Sequence, residues 1–361
     1  MNSSIVDKNM VPESLAGYDI EWRDANEEIF SLHGVYYEAS EGRYRRMPAE
    51  AAARVSESVA HRAPFTAGGR LRFATNSPFV AITANEPFTP VAGVSTQHVM
   101  KYGFSLYKNA GEYVGCCAPA IHSDDFCKEP FTYSAIFLTK QEKKTNYTLH
   151  FPLYNGVNKL YIGIQRGAKL YAPKPYRYEK PVLFLGSSIT QGASASRPGC
   201  EYVGILSRLC NTDIWNLGFS GSCKAEPEMA EYIASCDPSV FVYDYDHNAP
   251  SLDHLEATHY ALYKKFREAH PDTPVIMMSR PIYMEATGSP KRLAIIKASY
   301  ERALAEGDKN VYFIDGRTLI GVRDQLHCTM DRTHPTDLGF YRMAKRVYPL
   351  LKKLLAEGEK K

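Results

Sequence analysis

The second half of the chain alternates between short apolar runs and longer helix-like stretches, and this restricts the fold more than any other feature. Apolar, strand-like runs occupy residues 181–186, 213–218, 238–246, 273–281 and 310–316. Helix-like stretches occupy residues 201–210, 226–236, 252–270, 290–307 and 336–358. Apolar strands that alternate with helices are typical of a parallel sheet covered on both faces. The alternation therefore predicts an α/β domain over residues 181–361.

The first half of the chain has a different period. Between about residues 18 and 170, short segments such as "RLRFAT" and "NKLYIGI" alternate apolar and polar side chains and are separated by Gly, Pro and Asn. This spacing favours an antiparallel β-sandwich, with one helix-like exception at residues 48–60. Prolines in the next stretch remove backbone donors and indicate a linker. We predict a β-sandwich accessory domain at 1–172, a Pro-rich linker at 173–180 and the α/β domain at 181–361.

The composition of the chain excludes several classes of protein. A chain of 361 residues is long for one hydrophobic core, which agrees with two domains. The net charge is only +3 and no long basic run occurs, so no nucleic-acid partner is expected. No stretch approaches the roughly 20 apolar residues of a membrane span, and the N-terminus has no apolar signal-peptide core, which predicts a cytoplasmic protein. The eight cysteines form no CxxC pair, so neither a zinc ribbon nor a disulfide scaffold is expected.

Two adjacent hydroxyls end the first apolar run, in the sequence "GSSITQG" at residues 186–192. Ligands of such sheets collect at the carboxyl ends of the strands, where Ser187 and Ser188 would lie. The segment lacks the Gly-Lys-Ser/Thr of a phosphate loop and the GxGxxG of a dinucleotide fold. It also departs from the GxSxG elbow, because Thr190 replaces the second glycine. A nucleophile and a helix N-cap remain as interpretations.

Other polar residues at predicted strand ends favour the nucleophile. Asp331 and His334 stand three residues apart before the last helix, a spacing that allows the carboxylate to orient the imidazole as a base. Gly221 and Asn248 follow the second and third apolar runs and could donate hydrogen bonds to an oxyanion. Each of these segments alone is more simply a turn or a loop. Their joint placement at one edge of the sheet indicates a catalytic site.

The segments "GSSIT", "NLGFSG", "DHNAP" and "DRTHP" resemble the four sequence blocks of the SGNH (GDSL-type) hydrolases, over about residues 181–356. Upstream, "KYGFSLY" at 101–107 resembles the GxDLY motif of a β-sandwich domain that precedes some SGNH esterases. The resemblance implies a flavodoxin-like three-layer α/β/α domain after a jelly-roll-like sandwich. It also implies ester hydrolysis through an acyl-enzyme, with neither a metal nor another cofactor.

The resemblance implies a role for each matching residue. Ser188 would be the nucleophile, His334 the general base and Asp331 its orienting partner. The backbone N–H groups of Ser188 and Gly221 and the side-chain amide of Asn248 would form the oxyanion hole. Two departures from the family pattern stand out: Ser187 replaces the usual Asp before the nucleophile, and the neighbours of Asn248 do not match.

The expected substrate is a small-molecule or oligosaccharide ester with a short acyl group, and the resemblance favours an O-acetylated carbohydrate. An acyltransferase using the same acyl-enzyme fits the motifs equally well. A metal-dependent hydrolase would use residue types suited to a metal, namely Asp244, Asp246, His247, Asp331 and His334. A non-catalytic glycan-binding protein would use some of the 25 tyrosines. The sequence leaves open whether copies of the chain form a homo-oligomer.

Overall fold

The computed structural model describes residues 15–89, 95–109, 111–120, 130–281 and 289–359. The strands are β1 Ile20–Asp24, β2 Ser31–His33, β3 Tyr36–Glu38, β4 Arg43–Arg45, β5 Arg70–Thr75, β6 Phe79–Glu86, β7 Phe104–Lys108, β8 Glu112–Cys117, β9 Phe131–Leu138, β10 Thr145–His150, β11 Lys159–Gln165, β12 Leu170–Tyr171, β13 Tyr178–Gly186, β14 Thr212–Gly218, β15 Val240–Asp244, β16 Val275–Met278 and β17 Val311–Ile314. The helices are α1 Ala49–Val55, α2 Glu57–Arg62, α3 His98–Tyr102, α4 Ser188–Gln191, α5 Tyr202–Cys210, α6 Pro227–Ser235, α7 Leu252–Ala269, α8 Ser289–Ala305 and α9 Asp337–Gly358. Among these residues, each helix is too short or too polar to cross a membrane.

Two larger antiparallel sheets and the short antiparallel pair β3-β4 form the N-terminal half. One has the order β1-β11-β6-β9, and the other has the order β12-β5-β10-β7-β8 with β2 also paired to β5. Their apolar side chains, including Phe73, Ile82 and Ile162, share one buried core. Alternate residues of a strand point to opposite faces, so the period-two pattern of the sequence supplies this core. The predicted β-sandwich is confirmed.

A five-stranded parallel sheet forms the C-terminal half, in the order β14-β13-β15-β16-β17. This is the flavodoxin-like order, in which the chain reverses direction across the sheet between the first and third strands. On β13, Val182 and Phe184 face the core that contains α5 and α9, while Leu183 and Leu185 face the core of α6, α7 and α8. Both faces are therefore buried, and the predicted three-layer α/β/α domain is confirmed.

The two halves of the chain share buried contacts. Helices α1 and α2 lie between β4 and β5 of the N-terminal half, yet Ala52 and Val59 pack in the same core as α6 and α7. The fully buried Arg46 donates to the carbonyl oxygens of Asn216 and Gly218 in β14, at 3.0 and 2.8 Å. The sandwich is thus joined to the parallel sheet by polar as well as apolar contacts.

The predicted helix at 48–60 and the predicted linker at 173–180 differ in detail from the structure. The helix-like stretch 48–60 divides at Ser56, whose hydroxyl accepts a hydrogen bond from the N–H of Val59 and so begins α2. Strand β13 begins at Tyr178, inside the stretch 173–180 that the sequence predicts as linker. The domain boundaries themselves stay a prediction.

Candidate active site

Ser188, His334 and Asp331 form one chain of hydrogen bonds at the carboxyl end of the parallel sheet. The Oγ of Ser188 lies 2.8 Å from Nε2 of His334, and Nδ1 of His334 lies 2.7 Å from Oδ2 of Asp331. Ser188 follows β13 at the point where the strand order reverses, the position at which ligands bind in open α/β sheets. The arrangement can remove the proton of a hydroxyl during attack on an acyl carbon. The catalytic roles of these residues stay predictions.

The two adjacent serines have different environments. The Oγ of Ser187 accepts a hydrogen bond from the N–H of Ile189 at 3.2 Å and caps the short helix α4, and Ser187 is fully buried. Ser188 is the first residue of α4, and its hydroxyl is the one that meets His334. The two interpretations of the serine segment, helix N-cap and nucleophile, therefore apply to different serines. Ser187 is the cap, and Ser188 occupies the position expected of a nucleophile.

Asp331 is held by the loop that it belongs to. Its Oδ1 accepts hydrogen bonds from the backbone N–H groups of Thr333 and His334, at 3.0 and 2.8 Å. Burial alone would raise the pKa of Asp331, but the bonds from the backbone and imidazole of His334 outweigh it and lower the pKa below its usual value. The carboxylate is thus charged and fixed, and it can orient the imidazole. Helix α9 begins at Asp337, three residues beyond His334, with Thr336 as its N-cap residue.

Gly221 presents a free donor on an unobstructed side of its loop. Its φ is +68°, in the left-handed region that favours glycine, and a Cβ at this position would meet no atom within 4 Å. The neighbouring N–H groups of Ser220 and Ser222 donate to Gln191 Oε1 and to the Phe219 carbonyl, both at 2.9 Å. Among the residues that the structure describes, no acceptor faces the N–H of Gly221. This N–H can therefore serve a ligand.

Asn248 is oriented by the same loop. Its Oδ1 accepts a hydrogen bond from the N–H of Cys223 at 3.3 Å, and its own N–H donates to the Tyr245 carbonyl at 2.8 Å. The side-chain NH₂ then has no acceptor within the described part of the chain. The N–H of Ser188, in the first turn of α4, likewise has no partner inside its helix. Three donors are available in this region, as an oxyanion hole requires.

Asp244 and Asp246, two of the carboxylates proposed for a metal site, interact with other side chains. Asp244 accepts hydrogen bonds from Thr190 and from Tyr202, the latter at 3.1 Å, and burial raises its pKa to about 8. Asp246 lies 4.0 Å from Arg280, and burial raises its pKa to about 6. Across residues 15–359, where the structure describes them, no three His, Cys, Asp or Glu side chains are grouped so that they could hold a metal ion.

His247 was another candidate ligand of such a site. It is partly buried beside Arg280, whose Nη1 lies 3.4 Å from its Nδ1. Burial lowers the pKa of His247 to about 3, and the positive charge of Arg280 acts in the same direction. The imidazole is therefore neutral at physiological pH.

Sequence reasoning missed two residues that support the site. The hydroxyl of Tyr154, from the N-terminal half, donates to the backbone carbonyl of Ser188 at 3.3 Å. Gln191 joins the halves through Nε2, which donates to the Leu153 carbonyl at 3.0 Å, and through Oε1, which accepts from Ser220. Gln191 stands in the quoted serine segment and could have been assigned a role. Nothing local marks Tyr154, because it lies 34 residues before Ser188.

Two cavities differ in their relation to this site. A cavity of about 720 Å³ lies at the amino ends of the parallel strands, beside Tyr178, Pro238 and Asn310, and therefore at the opposite end of the sheet from Ser188. A smaller cavity of about 120 Å³ is lined by Tyr154 and Ser220, the residues that adjoin Ser188 and Gly221. The smaller cavity is therefore the one that adjoins the candidate active site.

Comparison with protein-family models gave two matches. Residues 179–352 match the GDSL-like lipase/acylhydrolase family, and residues 20–170 match the N-terminus of SGNH-hydrolase-type esterases. The two matches together account for most of the chain. No curated protein matched the sequence.

Solved structures share the fold along the chain. A structure from Bacteroides ovatus described as a GDSL-like lipase has 28% sequence identity and a TM-score of 0.81, covering 93% of this chain and 98% of that one. A salicylyl-acyltransferase from a tetracycline biosynthetic pathway has 17% identity and a TM-score of 0.74, with coverage of 93% and 98%. An acetyl xylan esterase from the rumen bacterium Butyrivibrio proteoclasticus has 12% identity and a TM-score of 0.60, with coverage of 93% and 99%. The last two identities are low, so these two structures establish similarity of fold alone.

Proposed function

Because the chain belongs to the GDSL-like lipase/acylhydrolase family and carries the N-terminal region of SGNH-type esterases, we propose that it hydrolyses short-chain acyl esters through a serine acyl-enzyme. The observation that carries the proposal is the 2.8 Å contact between Ser188 Oγ and His334 Nε2, backed by the Asp331 carboxylate 2.7 Å from Nδ1. A hydroxyl is a weak nucleophile until a base accepts its proton, and this contact supplies the base.

In the proposed first step, the Oγ of Ser188 attacks the ester carbon while its proton moves to Nε2 of His334. The imidazolium formed is stabilised by Asp331, which stays ionised throughout. The carbon–oxygen bond to the alcohol then breaks, and His334 returns the proton to the leaving alcohol. Water repeats the sequence on the acyl-enzyme, giving the free acid and restoring Ser188.

Negative charge develops on the former carbonyl oxygen in both steps. The N–H groups of Ser188 and Gly221 and the NH₂ of Asn248 are the donors that we assign to it. One such donor typically contributes about 100- to 1,000-fold in kcat. Since Asn248 is oriented by the N–H of Cys223, its donor needs no reorganisation when the charge forms.

For the substrate, we propose an O-acetyl ester on a carbohydrate. The support is the similarity of fold to the acetyl xylan esterase, together with the family match. The cytoplasmic location and the partners of the protein stay predictions from its sequence.

Acyl transfer is a second candidate, because the salicylyl-acyltransferase shares the fold with a TM-score of 0.74. An acceptor alcohol and water compete for the same acyl-enzyme, and Ser188 and His334 would serve either reaction. Adding an acceptor alcohol to the assay distinguishes acyl transfer from hydrolysis. A transferase converts it to the ester in preference to hydrolysis.

Release of 4-nitrophenol from acetate, butyrate and octanoate esters tests the proposal. We expect the wild type to cleave acetate fastest, with and without a chelator, and Ser188→Ala and His334→Ala to lose nearly all activity to a similar extent, because such residues act as a unit. Ser187→Ala is the matched control and should remain active. Full activity of Ser188→Ala, or activity that a chelator removes and a divalent ion restores, would contradict the serine mechanism.

A further inference from the structure

The 120 Å³ cavity beside the proposed nucleophile is built by both halves of the chain. Tyr154 and Ser220 form the wall next to the site, and the hydroxyl of Tyr154 contacts the carbonyl of Ser188. Ser220 immediately precedes Gly221, one of the three assigned oxyanion donors. The cavity therefore adjoins the residues of the proposed site.

Three basic residues line the cavity. They are His61, Arg62 and Lys101, and among the residues that the structure describes no Asp or Glu joins them. Among the described residues, none of the three forms an ion pair with a carboxylate; Arg62 donates to the carbonyl oxygen of Ser58 at 3.0 Å. We call these three residues the cationic subsite.

Lys101 is the strongest indication that the subsite takes an anion. Its side chain is 1% exposed, and its Nζ donates to the carbonyl oxygen of Thr89 and lies 4.7 Å from the centre of the Tyr102 ring. A buried ammonium without a carboxylate is costly, because neither a carbonyl nor a ring replaces the water or counter-charge that it lost. Burial accordingly lowers the pKa of Lys101 to about 8. A carboxylate in the cavity would supply the missing counter-charge.

We propose that the cationic subsite binds a carboxylate carried by the ester substrate, so that the enzyme prefers anionic esters to neutral ones. This inference rests on the proposed esterase function and specifies its substrate class. The carboxylate can belong to the alcohol, as in an acetylated hydroxy acid or uronic acid, or to the acyl group, as in a half-ester of a dicarboxylic acid. Both place the same chemistry in the cavity.

Two matched pairs of substrates distinguish these sources. On the alcohol side, 4-acetoxybenzoate is compared with 4-acetoxybenzamide. On the acyl side, 4-nitrophenyl hemiadipate is compared with the 4-nitrophenyl ester of adipic acid monoamide. Each pair differs by one negative charge at nearly constant size, so the ratio of kcat/KM within a pair reports recognition of the carboxylate.

The ratio is measured for the wild type, Lys101→Met, Arg62→Gln and the control Lys265→Met. Lys265 is exposed on α7 and does not line the cavity, so its replacement removes the same charge from elsewhere on the molecule. We expect one pair to favour the anion in the wild type and in the control. In Lys101→Met that preference should fall by about 10- to 100-fold, the effect of losing a hydrogen bond to a charged group. Arg62→Gln, at a less buried position, provides a second test if Lys101→Met folds poorly.

Failure of the inference is distinguishable from failure of the proposed function. If the wild type cleaves both members of both pairs equally well in a Ser188-dependent reaction, the esterase stands and the cationic subsite is wrong. If the wild type cleaves no ester, calorimetric titration with 4-hydroxybenzoate and 4-hydroxybenzamide, and with adipate and adipamide, decides the subsite alone. Binding of a carboxylate that Lys101→Met weakens would support it. Equal binding of acid and amide would overturn it.

Discussion

Replacing Asp244 by Asn should change how the stability of the protein depends on pH. Asp244 lies at the carboxyl end of β15, fully buried, and accepts hydrogen bonds from Thr190 and Tyr202 beneath the helix that begins with Ser188. Burial raises its pKa to about 8, although the two hydroxyls act in the opposite direction. The native state therefore keeps a proton on Asp244 at pH values where the unfolded chain, with a carboxyl pKa of about 3.9, has lost it.

This difference in bound protons determines the direction and the size of the pH effect on the free energy of unfolding. Between about pH 4 and pH 8 the native state binds one more proton than the unfolded state at this position, so stability falls as pH rises. Each pH unit inside that window costs about 1.4 kcal/mol, which gives about 2.7 kcal/mol between pH 5 and pH 7. Asn does not titrate. The free energy of unfolding of Asp244→Asn, relative to the wild type, should therefore rise by about that amount over the same interval.

Urea denaturation at pH 5 and pH 7, followed by tryptophan fluorescence, measures the difference. Both proteins should carry Trp22→Phe, so that the signal comes from Trp215 in β14 of the parallel sheet. Asp237→Asn, which removes a carboxylate whose side chain is 76% exposed, is the surface control. If the difference between Asp244→Asn and the wild type is the same at pH 5 and pH 7, the native state does not hold a proton on Asp244, and the reasoning from burial fails.

Two further predictions concern the site. Ser187→Ala should retain ester cleavage but lose about 1 kcal/mol of unfolding free energy in urea, because it removes the cap of α4; an inactive Ser187→Ala beside an active Ser188→Ala would reverse the two roles. Asn248→Ala should lower kcat for 4-nitrophenyl acetate about 100- to 1,000-fold with little change in KM, because the donor acts on charge formed in the transition state. An unchanged kcat in folded Asn248→Ala would remove Asn248 from the oxyanion hole.

Much of the C-terminal domain was predictable because its strands are buried on both faces. The apolar run 213–218 became β14, Thr212–Gly218, and the helix-like stretch 252–270 became α7, Leu252–Ala269. The run 238–246 was predicted too long: β15 ends at Asp244, and Tyr245–His247 form a 3₁₀ turn. The strand-like run of the sequence continues through that turn, because Tyr245 and Asp246 are buried as well. Burial alone therefore does not mark the end of the strand.

Contacts between distant parts of the chain were not predictable in the same way. The order and type of the residues placed Ser188, His334 and Asp331 near one edge of the sheet, and the family resemblance favoured Ser188 over Ser187. The fold shows that the hydroxyl of Ser188 is the one that meets the imidazole. The contribution of Tyr154 and Lys101 to the region around Ser188 depends on how the sandwich packs against the sheet. The periodicity of the sequence does not predict that packing, since it indicates which face of a helix or strand is buried but not which other element covers it.

The buried guanidinium of Arg46 has a consequence for the order of events during protein synthesis. Its acceptor on Asn216 lies 170 residues further along the chain. At a synthesis rate of about 5–20 residues per second, Arg46 is synthesised roughly 9 to 34 s before that acceptor exists. The sandwich can assemble its own strands during this interval, but Arg46 and the apolar faces of α1 and α2 have to stay solvated or be shielded by a chaperone. Completion of the N-terminal half is thus a late event, coupled to the arrival of β14.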